Sequence, residues 1–293
     1  THPRRMMDGV PVIGRLSRFA SSVTGVGSGS ADAESPEGSG VRGEFARGPN
    51  DAGVNCFSEP PVDKFSVRGP GYLADAKKVL HTRAPAFTLL DVDIVESTVG
   101  RLDHFAAHPE SFPARRMRGA EAPPGEFLLV INFVTDRYGM IITYAVDEAK
   151  FRDSDPAFAR LWKAFLSGSD EYRAARLKVI PNIVEGPWAV RKVIGERPAI
   201  MGKKLGFTYH QTDRYLEIDC DTASTRAAGV IVEVVVPAAS HLVIDQAFLL
   251  EGQHESELPE RIFGTVRVSR MALRQSRLIT TPAPTPPPTT NTR

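Results

Sequence analysis

The sequence is poor in the residues that disulfide scaffolds, secreted proteins and membrane spans require. Cys56 and Cys220 are too few for a disulfide framework or a cysteine-based zinc site. No Asn-x-Ser/Thr glycosylation site occurs, so a reducing compartment fits better than secretion. The longest apolar run, 227–236, contains Glu233 and stops at Pro237. Because a spanning helix needs about 20 apolar residues, we expect no transmembrane segment.

An excess of charge of one sign is also lacking. The 293 residues include 36 basic and 35 acidic side chains, which gives a net charge of +1. A protein that binds nucleic acid through its overall field carries a clear basic surplus, so we expect no nucleic-acid partner. Any basic surface must be local.

Motifs that define catalytic and nucleotide-binding sites are missing as well. No GxSxG elbow occurs, and the pair His104 and His108 has no HExxH pattern around it. Gly195 and Gly202 are seven residues apart, where a phosphate loop GxxxxGK[ST] needs five. We therefore predict a protein without catalytic residues, without a metal site and without a cofactor, and leave a bound lipid open.

Composition divides the chain into three segments. Residues 1–63 form a basic and Gly/Ser-rich arm, whose start resembles a trimmed organellar transit peptide or a generic flexible arm. Residues 274–293 form a Pro/Thr-rich extended tail. Residues 64–273 form the folded domain. Because such ends gain order only against a partner, we expect them to contact protein subunits of a larger assembly in a mitochondrion or plastid, with a cytoplasmic location as the alternative.

Periodicity predicts an α+β fold with a curved, mainly antiparallel sheet and a few helices. Alternating apolar residues predict a strand at 87–95 and a hairpin that turns at Asp136–Arg137. A helical spacing predicts one helix from Pro156 to Gly168 and another over 70–80. Residues 222–236 fit a strand or a helix, and we predict a helix.

The stretch 182–209 is the main candidate for binding an anion. Its alternatives are a basic patch for lipid head groups or a partner, and a series of turns with solvated lysines. In the second interpretation Trp188 and Val190 pack inward while the lysines stay outside. The candidate binding residues are Arg191, Lys192, Arg197, Lys203 and Lys204.

A second pattern places three carboxylates on one face of a strand. Glu217, Asp219 and Asp221 alternate with apolar residues. They suit a hard-cation site or an acid/base pair, but a polar strand face paired with neighbouring Lys or Arg is the favoured interpretation. A curved sheet closed by the helix after Pro156 could also enclose an apolar cavity.

Five segments together resemble a known family. FSVRGPGYLADAKKV, RLKVIPNIVEGPWAVRKVIGERPAIMGKKLGFTY, YLEIDCDTAST, HLVIDQAFLLEG and ELPERIFGTVRV are similar, in order and spacing, to the C-terminal domain of the plant enhanced disease resistance protein 2 family. The residues that match its signature are Arg68, Gly69, Tyr72, Leu73, Pro181, Glu185, Gly186, Trp188, Gly195, Pro198, Gly202, Glu217, Asp219, Asp221, Glu251, Gly252, Glu257, Leu258 and Pro259.

The resemblance implies lipid- and membrane-associated biology without an established reaction. In the larger plant members this domain follows a pleckstrin-homology and a START domain, neither of which these 293 residues contain. We therefore predict a non-enzymatic accessory subunit of a membrane-associated complex. The alternatives are a lipid-binding domain with an apolar cavity and a basic rim, and an enzyme that uses the Glu217, Asp219 and Asp221 face.

Overall fold

The computed structural model describes residues 45–48, 53–119, 122–195 and 197–282. The sequence predictions for most of the N-terminal arm and for the end of the C-terminal tail fall outside these ranges and stay predictions. No helix within the described ranges is long and apolar enough to cross a membrane.

The described chain is α+β, as predicted, with its strands divided between two six-stranded sheets. The first sheet has the order β1-β2-β13-β12-β8-β9 and the second has the order β10-β11-β6-β7-β5-β14, while β3 and β4 form a separate hairpin. Pairing is mainly antiparallel, with parallel contacts at β1–β2, β6–β11 and β5–β14. The strands are β1 Ala46–Arg47, β2 Cys56–Ser58, β3 Ser66–Arg68, β4 Lys78–Leu80, β5 Thr88–Ser97, β6 Phe127–Val134, β7 Tyr138–Val146, β8 Leu177–Glu185, β9 Ala199–Ile200, β10 Gly206–Gln211, β11 Tyr215–Asp221, β12 Val243–Leu250, β13 Ile262–Ser269 and β14 Arg277–Ile279.

Six α-helices connect these strands in the described ranges, and two of the helix predictions are confirmed. The helix predicted from Pro156 begins there because the Asp155 side chain accepts the Phe158 backbone N–H. The ambiguous segment after Thr222 is also helical, and Thr225 caps its start. The helices are α1 Tyr72–Asp75, α2 Phe112–Arg118, α3 Pro156–Ser167, α4 Asp170–Ala174, α5 Trp188–Ile194 and α6 Arg226–Ala238.

The helix predicted over 70–80 is wrong beyond its first turn. Ala76 adopts a left-handed conformation with φ 56°, which ends α1 after four residues. The chain then pairs β4 with β3 in an antiparallel hairpin. Tertiary contacts override the helical spacing of these side chains. Strand pairing is favoured because Val67 of β3, and Phe65 just before it, are buried on the outer face of the first sheet.

The two sheets pack face to face around an aromatic core. Phe87 contacts the Trp162 ring of α3 at 4.8 Å and the Phe263 ring of β13 at 5.0 Å, between ring centroids. Gly264 lets the backbone of β13 lie directly on the Tyr144 ring, since a Cβ at that glycine would be 2.6 Å from a ring carbon. A second cluster on the outer face of the second sheet is covered by the segment 102–118.

The chain crosses from one sheet to the other beside a buried histidine. The Phe87 N–H donates to the Phe263 carbonyl at 2.7 Å, and β5 of the second sheet starts at the next residue. His81 is 5% exposed, and its Nε2 accepts the Ile262 N–H at 3.3 Å. Burial and the neighbouring Arg261 guanidinium lower the pKa of His81 to about 4.

A close backbone approach also fixes the turn after β9. Met201 to Lys203 form a 3-10 turn whose Gly202 lies against the end of α4. A Cβ at Gly202 would be 2.3 Å from the Ala174 carbonyl oxygen, so only glycine fits without backbone movement.

Gly202→Ala is expected to lower the free energy of unfolding by about 1–3 kcal/mol, because the added methyl group overpacks the contact with α4. Urea denaturation monitored by circular dichroism measures it. Gly229→Ala is the matched control, since a Cβ at Gly229 in α6 meets no atom within 4 Å. That variant should be as stable as the parent or more stable. Equal loss in both variants would contradict the packing role of Gly202.

The stability of the fold should fall between about pH 6.5 and pH 4 because of His81. In that window the unfolded chain binds a proton at this side chain that the folded chain does not, so acid favours unfolding. His81→Gln should flatten the pH dependence of the unfolding free energy obtained from urea denaturation. The change in slope should correspond to the loss of up to about one proton taken up on unfolding. Replacing the exposed His241 by Gln should leave the slope unchanged, and a slope that His81→Gln does not alter would refute this assignment.

Candidate functional site

The predicted series of turns at 182–209 contains a helix, α5, and the 3-10 turn at 201–203. Val190 packs inward as predicted, with 1% of its surface exposed. The inward packing predicted for Trp188 is wrong, because its side chain is 72% exposed. The helical phase explains the difference: two residues apart on a helix, the two side chains point in nearly opposite directions.

The five predicted basic residues divide into one structural arginine and four exposed cations. Arg191 donates hydrogen bonds to the carbonyls of Ile183 and Val184, so it holds α5 on the end of β8. The Lys192 amine lies 4.8 Å from the centroid of the Trp188 ring, within cation–π distance. Within the described ranges, no carboxylate forms an ion pair with the exposed side chains of Lys192, Arg197, Lys203 and Lys204.

The basic turn, α5 and α6 are neighbours in the fold. The Thr225 hydroxyl at the start of α6 donates to the Lys204 carbonyl at 2.7 Å, and α5 packs against α6. Among the residues of α6, only Ala228 is fully buried, although nine of the thirteen are Val, Ile or Ala. Val230 and Ile231 are 37% and 36% exposed. We refer to the exposed surface of α5, α6 and the 201–204 turn as the α5–α6 surface.

The three carboxylates of β11 share one face, as the alternation predicts, and the segment 101–106 covers them. Both oxygens of Glu217 accept the Ala106 N–H, the nearer one at 3.0 Å. Asp219 accepts the His104 N–H and an Asn132 side-chain N–H, each at 2.8 Å. Asp221 pairs with Arg101 at 3.0 Å. This face therefore clamps a loop to the second sheet.

Two histidines join these carboxylates; from the sequence, His104 was considered only as a pair with His108, and His210 was not singled out. His210 Nε2 lies 3.0 Å from Asp219, and its ring stacks on His104 with 4.0 Å between centroids. His210 stands opposite Glu217 in the β10–β11 hairpin, so hairpin register could have placed it. His104 could not be found that way, since it lies in a loop with a left-handed conformation.

Burial dominates the electrostatics of this cluster. Desolvation, followed by the charge of Asp219, raises the pKa of Glu217 well above its usual value. Burial and the neighbouring His210 lower the pKa of His104. No group of three or more His, Cys, Asp or Glu side chains in the described ranges is arranged to hold a metal ion. Glu217 and Asp219 are 0% and 2% exposed, so a substrate would not reach them without opening the loop.

Several residues of the predicted family signature meet in a charged network on the first sheet. Arg68 donates to the Gly252 carbonyl at 2.7 Å, pairs with Glu251 at 3.0 Å and lies 4.7 Å from the centroid of the Tyr72 ring. Arg176 pairs with Glu257 at 2.6 Å. These contacts bind α1 and the loop 251–260 to the start of β8.

The centre of this network is the buried pair of Lys178 and Glu260. Burial lowers the pKa of Lys178, and the Glu260 carboxylate opposes that effect. Glu260 also accepts the Arg68 and Gly252 backbone N–H groups, at 2.9 and 3.2 Å. Since nearly every polar atom in the network has a partner, it stabilises the fold and offers no open group to a substrate.

Two pockets of about 190 Å³ each are present in the described ranges. One lies between the β3–β4 hairpin and β8, and the other between α3 and the turn at Ser256–Glu257. Both are smaller than the roughly 300–1,000 Å³ of pockets that bury a whole organic ligand. Neither of these two pockets is the predicted apolar cavity, which stays a prediction.

Comparisons with known proteins agree with the resemblance seen in the sequence. The family described as Protein ENHANCED DISEASE RESISTANCE 2, C-terminal, matches residues 57–272. A curated relative, Protein ENHANCED DISEASE RESISTANCE 2-like of Arabidopsis thaliana, is 31% identical over 242 residues. That alignment covers 79% of this chain and 31% of the relative, so the chain spans about a third of that protein. No solved structure matches the chain at a significant level.

The family match extends from β2 to just beyond β13, so it includes both sheets except their edge strands β1 and β14, together with the charged network around Lys178 and the α5–α6 surface. The chain belongs to the family of the C-terminal domain of the ENHANCED DISEASE RESISTANCE 2 protein.

Proposed function

We propose that this domain is a non-enzymatic docking module that binds an anionic membrane surface, and that it serves as an accessory subunit of a membrane-associated assembly. One observation carries the proposal: Trp188 is 72% exposed on a helix that packs against a largely apolar helix. Exposed tryptophan is costly in water but favourable at a membrane interface, where its ring lies at the level of the head groups.

Helix α6 supplies the apolar part of the surface. Val230 and Ile231 are exposed, and they lie on a helix whose sequence, RAAGVIVEVVVPA, has apolar residues on every side. A surface helix of a soluble protein is expected to have a polar outer face, so this composition indicates a second apolar environment beyond the protein core. Partial insertion into the head-group region would provide it.

The charge around this surface suits an anionic bilayer rather than a neutral one. Lys192, Lys203, Lys204 and Arg226 are exposed, against the single exposed acid of α6, Glu233. Each basic residue close to an anionic surface contributes roughly 1 kcal/mol. Four such residues with a few partly inserted side chains give reversible association, which suits a peripheral subunit.

The role in a protein assembly rests on the terminal segments. Ala46–Arg47, Cys56–Ser58 and Arg277–Ile279 are strands of the two sheets, so they do not depend on a partner. Residues 1–44 and 283–293 have compositions typical of segments that order against a partner surface, and the basic composition of residues 1–23 resembles that of a transit peptide. These features support contacts with other subunits and a location in a mitochondrion or plastid. The alternative of an internal lipid cavity is supported less, because aromatic rings fill the space between the sheets.

Trp188→Ser is expected to reduce binding to phosphatidylcholine vesicles that contain phosphatidylserine by about tenfold, because it removes the largest inserted side chain. Co-sedimentation of the full chain with these vesicles measures the binding. Leu278→Ser is the matched control, since Leu278 is 50% exposed on β14 and outside the α5–α6 surface. Its binding should equal that of the parent.

Lys203→Glu/Lys204→Glu should leave the melting temperature unchanged, because both side chains are exposed, and should weaken vesicle binding most at low salt. Unchanged binding in both this variant and Trp188→Ser would refute the proposed surface. A parent chain that ignores vesicles but associates with a subunit through Trp188 would assign the surface to a protein partner instead.

A further inference from the structure

The pocket between the β3–β4 hairpin and β8, which we call the hairpin pocket, has a lining suited to phosphate. Its polar lining residues are Lys64, Ser66, Lys78 and Asn182, and its volume is about 190 Å³. We infer that the hairpin pocket binds a phosphate monoester group. This inference concerns a site separate from the α5–α6 surface and goes beyond the membrane docking proposed above.

The pocket exists because strand pairing along β8 is incomplete. β9 pairs only with Lys178 and Val179, so on this side the rest of β8 has no partner strand among the described residues. β8 continues to Glu185, α5 follows, and the chain returns to the pocket wall at Pro198. The hairpin closes the opposite side, where Phe65 is buried against Ile180. The walls are therefore held by the sheet and by the core beneath it.

The charges in the lining favour an anion. Lys64 and Lys78 contribute two ammonium groups, and none of the lining residues is acidic. Across the described ranges, no carboxylate forms an ion pair with either lysine. Lysine binds phosphate as a concentrated point charge, so two lysines that face one pocket form a suitable anchor.

A buried acid across from Asn182, Asp245, does not oppose the anion. Asp245 stands opposite Asn182 in the β8–β12 pairing, but the Arg267 guanidinium holds both of its oxygens. The Ser66 hydroxyl and the Asn182 amide add neutral donors that can orient phosphate oxygens. The remaining wall consists of Phe65, Ile180 and two prolines, Pro181 and Pro198, which give a rigid apolar support.

The size of the pocket sets the class of ligand. A volume of about 190 Å³ accommodates a phosphate with a short polar carrier and excludes an acyl chain or a nucleotide. A lipid head group and a soluble phosphate ester share this chemistry. The pocket wall and α5 are consecutive parts of the chain, so the pocket lies beside the proposed membrane surface. A lipid head group and a soluble ester are therefore both possible ligands.

Isothermal titration of the full chain with glycerol 3-phosphate tests the inference. The parent should bind it saturably, and Lys64→Gln/Lys78→Gln should bind it at least about tenfold more weakly, since each removed ammonium deletes a charge-assisted contact. Lys150→Gln/Lys163→Gln is the control, because it removes the same charge from exposed side chains outside both the pocket and the α5–α6 surface, and it should bind as the parent does. Asn182→Asp, which is nearly isosteric, should weaken binding as well.

Absent binding by the parent, or equal weakening by both lysine double variants, would overturn the inference. Vesicles with and without phosphatidic acid then distinguish the two sources. A preference for phosphatidic acid that is lost in Lys64→Gln/Lys78→Gln identifies a head group, and glycerol 3-phosphate binding without that preference identifies a soluble ester. Trp188→Ser should keep its affinity for glycerol 3-phosphate, so failure of membrane docking and failure of the pocket are separable.

Discussion

The contact between Gly264 and the Tyr144 ring sets the distance between the two sheets, and the remaining architecture depends on it. At this distance the rings of Phe87, Trp162 and Phe263 fill the space between the sheets. Exposed apolar and basic side chains collect on the outside of the domain, on α5, α6 and the turn at 201–204, where we propose that it binds a membrane.

The buried carboxylates illustrate why clustered acids do not by themselves indicate catalysis. Glu217 and Asp219 are surrounded by donors from the segment 101–106 and from Asn132. These carboxylates accept hydrogen bonds from backbone N–H groups that would otherwise be buried without partners. This role alone is sufficient to explain the alternation of acidic and apolar residues in β11. The adjacent pair of His104 and His210 extends this hydrogen-bonded clamp to Tyr215, whose hydroxyl lies 2.7 Å from His104.

Local sequence patterns predicted most of the fold, because strand alternation and helix caps act over a few residues. The β6–β7 hairpin, α3 and the shared face of Glu217 and Asp219 follow from such patterns. Features that depend on distant contacts could not be predicted in this way. The hairpin that replaces the helix over 70–80 is determined by burial against β8 and β12, and the exposure of Trp188 depends on which side of α5 meets α6. The composition of the stretch did not indicate this exposure, on which the proposed membrane docking rests.

Membrane docking can be read directly from the fluorescence of the one exposed tryptophan. The chain has two tryptophans, and Trp162 is 1% exposed in the core, so Trp162→Phe leaves an emission that reports Trp188 alone. Addition of vesicles that contain phosphatidylserine should shift this emission to the blue, and brominated lipids should quench it, since the ring moves from water into the interface. An emission that stays red-shifted and unquenched while the protein remains folded would contradict the central claim.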